Sequence, residues 1–162
     1  MAGEKYKKEF NLMAKRIYRN WLLDAIKNKD YESFKECVLN LGSEWHATRG
    51  VKKEVKEKVA KHLWDVHSEI QSGTYVGWAN SMYGTYSYES KVCFLINPKK
   101  YKLIYDGNNR KGLHRFLGNW YKPQEWQDAA DEYYKKIEKN VQKMTEEEIF
   151  ETDFELWNQN RA

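Results

Sequence analysis

Apolar side chains recur at helical intervals from Glu4 to Asn28: Tyr6, Phe10, Met13, Ile17 and Trp21 share a narrow arc, with Ala14 and Ala25 beside them. Lys5, Lys8, Lys15, Arg16 and Arg19 take the other side, which predicts a strongly amphipathic helix. Asp30 can cap a second, short helix with Tyr31, Phe34, Cys37, Val38 and Leu41 at its apolar positions and Gly42 as its stop. An irregular link from Ser43 to Gly50 leads to a third helix, about Val51 to Gln71, striped by Val51, Val55, Val59, Leu63, Val66 and Ile70. Trp64 lies off that stripe and is expected to bury against another element.

After Ser72-Gly73 the period changes. Tyr, Gly, Ser and Thr dominate 74–90, Tyr86 and Tyr88 alternate with Ser87 and Glu89, and Val92 to Asn97 reads as a buried strand. Asn97-Pro98-Lys99-Lys100 has turn chemistry, and Tyr101 to Tyr105 reads as the partner strand. Asp106-Gly107-Asn108-Asn109 closes this meander, and Arg110 to Leu117 follows as a short helix stopped by Gly118. Pro123 opens a long helix to about Met144 with Trp126, Ala130, Tyr133, Ile137 and Val141 inward, and Thr145 with Glu148 forms a capping box for the last helix. The expected fold is α+β in a single domain over 1–162: helical over 4–71, a small antiparallel β-meander over 74–106, and helical again over 110–160.

Composition adjusts this picture in two places. The 162 residues are 41% apolar, 32% charged and 15% aromatic, enough to build one core from few, large side chains. The formal charge of +4 is unevenly spread. Residues 1–28 carry seven bases against three acids, 99–122 seven bases against Asp106 alone, and 145–162 six acids against one base. Cys37 and Cys93 have no metal-ligand spacing and read as buried thiols of a reducing, cytoplasmic compartment. The longest aliphatic and aromatic run is Val92 to Ile96, so no membrane span or leader is expected. Lys outnumbers Arg 22 to 6, a usage that matches AT-rich codons and points to a low-GC bacterium or its mobile elements.

Candidate chemistry centres on 99–122, where cations are interleaved with Tyr101, Tyr105, Phe116, Trp120 and Tyr121. Cations release counterions from a phosphate backbone, and flat rings stack on unpaired bases. The expectation is a binding protein that engages nucleic acid or a nucleoprotein, ahead of any enzymatic role. Lys99, Lys100, Lys102, Lys111 and Lys122 would neutralise phosphate, Arg110 and Arg115 add forked contacts, and Trp120 or Tyr121 stack. Lys8, Lys15 and Arg19 on the first helix would extend that surface. Amides at the start of the 110–117 helix, reached through Asp106 to Gly112, could hold a phosphate, although the loop is neither a Walker loop nor a dinucleotide fingerprint.

Two rival classes remain open. A phage or plasmid accessory or inhibitor protein would dock on a host enzyme through aromatic residues and the acidic last helix. A small metal-independent nuclease would use His114 as its general acid or base, with Tyr105, Lys102 and Arg110 in support. No cofactor motif is present. His62 and His67 stand five residues apart, about 140° round a helix, which is the wrong interval for a metal pair.

Overall fold

The structure is a computed structural model that describes residues 2–44 and 51–161. Nine α-helices run in the order α1 (Ala2–Lys27), α2 (Tyr31–Glu44), α3 (Lys53–Asp65), α4 (His67–Ser72), α5 (Tyr86–Ile96), α6 (Pro98–Tyr101), α7 (Gly107–Leu117), α8 (Trp126–Lys136) and α9 (Glu146–Gln159) among the described residues. Short 3-10 turns at Gly77–Asn80, Pro123–Glu125 and Val141–Lys143 connect them. None of the described residues is in a strand, so the fold is all-helical and the expected α+β class with its 74–106 meander is overturned.

The error lies in the run from Tyr86 to Ile96, which is one helix, α5, buried from Tyr88 to Ile96 on every side. Val92 to Ile96 is apolar throughout and Glu89, Ser90 and Lys91 before it are buried as well, so the period cannot separate a buried strand from a buried helix; enclosure by neighbours decides. The supposed hairpin turn is a helix start: Asn97 Oδ1 accepts from Lys100 N at 3.3 Å and Pro98 takes the first helical position of α6. The supposed return strand is buried but irregular. Its polar groups go elsewhere, with Trp126 Nε1 donating to Leu103 O at 3.0 Å and Tyr105 N donating to Ser90 Oγ at 3.0 Å.

Other boundaries shift for local reasons. The predicted third helix breaks at Val66 into α3 and α4, and α2 continues through Gly42 to Glu44. Of the irregular link expected over 43–50, residues 45–50 lie outside the described residues. The long helix after Pro123 ends at Lys136, where Glu138 adopts φ 58° and reverses the chain. Gly118, at φ 90°, ends α7 as expected. Trp64 packs 5.2 Å from the Phe34 ring and 5.7 Å from the Tyr31 ring.

The largest departure is the orientation of α1. Its buried arc is Leu12, Ala14, Tyr18, Leu22 and Ala25, with Lys15 among them. An arc like that of Tyr6, Phe10, Met13 and Ile17 ordinarily faces a core, yet these four remain 69%, 54%, 45% and 54% exposed. One contiguous buried cluster draws on every helix, with α5 through its middle. No helix among the described residues is long and apolar enough to cross a membrane.

Candidate functional site

The basic side of α1 is turned onto the acidic side of α9. Lys8 Nζ lies 3.5 Å from Glu151 and 3.3 Å from Glu155, Arg16 3.6 Å from Glu147, and Arg19 4.0 Å from Glu146. Arg19 also donates to Leu95 O at 2.6 Å and Ile96 O at 2.7 Å, capping the C-terminal carbonyls of α5. Lys15 is buried against Asp153 at 3.1 Å. Of the three candidates on α1, Lys8, Lys15 and Arg19, each is therefore engaged inside the molecule.

The 99–122 segment is divided. Lys102 is ion-paired with Asp131 and its carbonyl accepts from Tyr134 Oη at 3.1 Å, tying the end of α6 to α8. Lys100 O accepts from Gln127 Nε2 at 2.9 Å, while the Lys100 stem lies across Gly73. On α7, the Arg110 guanidinium lies 5.1 Å from the Tyr105 ring centroid, and Arg115 Nη1 donates to Asn160 Oδ1 at 2.9 Å. Trp120 is exposed and stacks on His114 at 4.3 Å and 13°. Lys99 and Lys111 are half-buried, Lys122 is exposed and Tyr121 packs partly against the core. Apart from Lys102, no cation of this segment forms an ion pair with a described residue. The nuclease constellation is not assembled: Lys102 is held by Asp131, and Tyr105 is buried among Trp78, Tyr86 and Trp126. The start of α7 is already capped, Asp106 Oδ1 accepting from Asn109 N at 2.8 Å.

A cleft of about 370 Å³ beside the N-terminal half of α1 was not legible in the sequence. Tyr6, Phe10, Phe154 and Trp157 wall it, Lys7 and Arg161 stand among its lining residues, and buried Lys15, Lys91 and Asp153 with half-buried Asp106 supply its inner charge. Asp153 organises that charge: Oδ1 accepts from Ile104 N and Asn109 Nδ2, both at 2.9 Å, and Oδ2 takes Lys15. Burial lowers the Lys91 pKa below the usual lysine range, and the Lys15 charge adds to this against the opposing pull of Asp106 and Asp153. Burial and the Asp153 charge raise Asp106.

The C-terminal end of α9 links one lining residue of the cleft to α7. Asn160, which receives Arg115, immediately precedes Arg161, and the Arg161 guanidinium lies 5.9 Å from the Trp157 ring. Asn11 Oδ1, also in the cleft, is buried without a described partner. The sequence signal for this site was faint: Tyr6 and Phe10 at i,i+4, and an aromatic-basic ending in Trp157 and Arg161.

A second cavity of about 240 Å³ is lined by His62, Tyr75, Ser81 and Glu89 among others. Glu89 is buried, accepts from Thr85 Oγ1 at 2.8 Å and from Ser81, and is raised in pKa by burial. His62 Nε2 bonds Tyr75 Oη at 2.9 Å, and among the described residues no group of three or more His, Cys, Asp or Glu residues is placed to hold a metal ion. Comparison with known proteins finds no family model, no curated protein and no solved structure that matches this chain.

Proposed function

We propose that the chain binds single-stranded nucleic acid, with an unstacked base entering the cleft and the backbone passing over Arg161 and Arg115. One observation carries this reading: the cleft combines flat aromatic walls with the cations Lys7 and Arg161, and Asn160, next to Arg161 in the chain, holds Arg115 of α7. Tyr6, Phe10 and Trp157 offer stacking faces that tolerate any base. Lys91 supplies donors and Asn11 Oδ1 an acceptor for a base edge, while Lys7, Arg161 and Arg115 lie where phosphates would run. The basic surface expected over 99–122 thus contributes through α7, with Lys111 and Trp120 beside it, more than through Lys99 and Lys100 on α6. Cys37 and Cys93 are free and buried, which supports a reducing, cytoplasmic setting. The acids of α9 are engaged by α1, which leaves that helix less to offer a host enzyme.

Fluorescence anisotropy with a labelled oligothymidylate tests the reading. Neutralisation of about four phosphates gives a slope of log K on log salt of about −3 for a single strand. Trp157→Ala is expected to weaken binding by about 1–3 kcal/mol, the worth of one stacked base, and Lys91→Met to weaken it further. His114→Ala leaves affinity within a few fold, since a neutral imidazole releases few counterions. A folded protein that shows no binding at low salt overturns the reading. Binding that is indifferent to Trp157→Ala removes the cleft from it.

A further inference from the structure

Four of the large exposed apolar side chains lie in one stripe on α1, at Tyr6, Phe10, Met13 and Ile17. An unpartnered stripe of this size is uncommon on a monomer. Its intervals of four, three and four residues match the 3.5-residue repeat of a coiled-coil seam. They also read the same in both directions along the helix.

We infer that two copies of this chain associate through α1, packed antiparallel about a two-fold axis that passes between Phe10 and Met13. The palindromic spacing sets Phe10 against Met13 of the second copy and Tyr6 against Ile17 of the second copy, each contact occurring twice as an isologous interface requires. Charge fits the same geometry. Glu9 and Arg16 flank the seam on one side, both exposed, and antiparallel pairing places Glu9 of each copy beside Arg16 of the other. Parallel pairing would instead bring Glu9 to Ala14 and Arg16 to Trp21, with no complementary charge. Glu9 has no ion pair with a described residue, and the Arg16–Glu147 contact at 3.6 Å is solvent-exposed, so little is lost when Arg16 turns to the second copy. The Lys7 side of α1, which borders the cleft, is the side away from Glu9 and Arg16.

The test is sedimentation equilibrium of the full chain from about 5 to 500 µM, a range suited to a seam at the small end of specific interfaces. A reversible monomer–dimer equilibrium is expected. Met13→Glu with Ile17→Glu should give a monomer throughout with unchanged thermal unfolding, because both positions are solvent-exposed. Glu9→Arg alone and Arg16→Glu alone should each raise the dimer Kd at least tenfold, since symmetry doubles each repulsion, and the double variant should restore it. A wild type that stays monomeric at the highest concentration overturns the proposal, as does a dimer indifferent to Met13→Glu with Ile17→Glu. Rescue by the charge swap is specific to antiparallel self-pairing; without it the geometry fails, and a foreign partner becomes the better occupant. Tyr6 and Phe10 also wall the cleft, so dimer and oligonucleotide compete for them, whereas Met13 and Ile17 do not line it; Met13→Glu with Ile17→Glu therefore removes the dimer without weakening oligonucleotide binding, and the two failures are distinguishable.

Discussion

Replacing Asp153 by Asn isolates the charge network beneath the cleft. The amide oxygen can still accept from Ile104 N and Asn109 Nδ2, which now donate to Asp153 Oδ1 at 2.9 Å. What changes is the other arm, where an amino group replaces the carboxylate oxygen 3.1 Å from Lys15 Nζ. Lys15 is 2% exposed and would keep the Phe150 carbonyl, at 3.5 Å, and the face of the Phe94 ring, at 5.9 Å, in place of a counter-charge. Breaking a buried ion pair by removing one partner costs about 3–5 kcal/mol. With an unfolding entropy of about 2.1 cal/mol/K per residue, a chain of this length loses about 9–15 °C of melting temperature for that cost. Thermal unfolding followed by circular dichroism at pH 7, with urea titration beside it, reads the change. Adding Lys15→Met should recover most of the loss, because the stranded charge is then gone. A loss below about 1 kcal/mol for Asp153→Asn, or a double variant no more stable than the single one, would refute the reasoning.

Glu89→Gln tests the second buried acid. Burial raises the Glu89 pKa, so the folded state prefers its protonated form, and the stability this contributes is lost as pH rises through the folded-state pKa. The melting temperature of Glu89→Gln relative to wild type should therefore climb as pH rises above the ordinary carboxylate range, and a difference that stays flat with pH would refute the raised value. Gly112→Ala would place a Cβ 2.4 Å from Leu156 Cδ1 and 2.8 Å from Asn160 Nδ2, forcing α7 off α9; a loss of about 1–3 kcal/mol in urea unfolding is expected. Glu147, Glu151 and Glu155 changed together to Gln would free Lys8 and Arg16 from α9. Each exposed pair is worth only about 0–1 kcal/mol, so melting should move little while oligonucleotide affinity rises, mostly at low ionic strength.

Local chemistry was enough to place many of the helices. The amphipathic period marks α1, the Thr145–Glu148 capping box forms as expected with reciprocal bonds of 3.1 Å and 3.0 Å, Gly118 stops α7, and Asp30 accepts from Ser33 N at 3.1 Å to start α2. Each of these signals lies within four residues of the backbone groups it satisfies, so no distant partner is needed to read it. The same cannot hold for α5, whose apolar run satisfies strand and helix alike until neighbours enclose it on all sides.

Orientation and site assembly belong to the tertiary structure. Periodicity gives the axis of α1 but not the direction of its core, because its basic side finds α9 acids more than 120 positions away, and the Lys15–Asp153 pair alone spans 138. The cleft draws its aromatic walls from α1 and α9, its buried lysines from α1 and α5, and Asp106 from the start of α7. Sequence intervals carry no information about such meetings; they are set by which charges can pair and which surfaces can be buried when the helices pack. The sequence by itself determined the capped helix ends at Asp30, Gly118 and Thr145 and how unevenly charge is spread, since those depend on neighbours along the chain. Packing alone decided that two charged faces would neutralise one another and that an apolar stripe would be left facing outward.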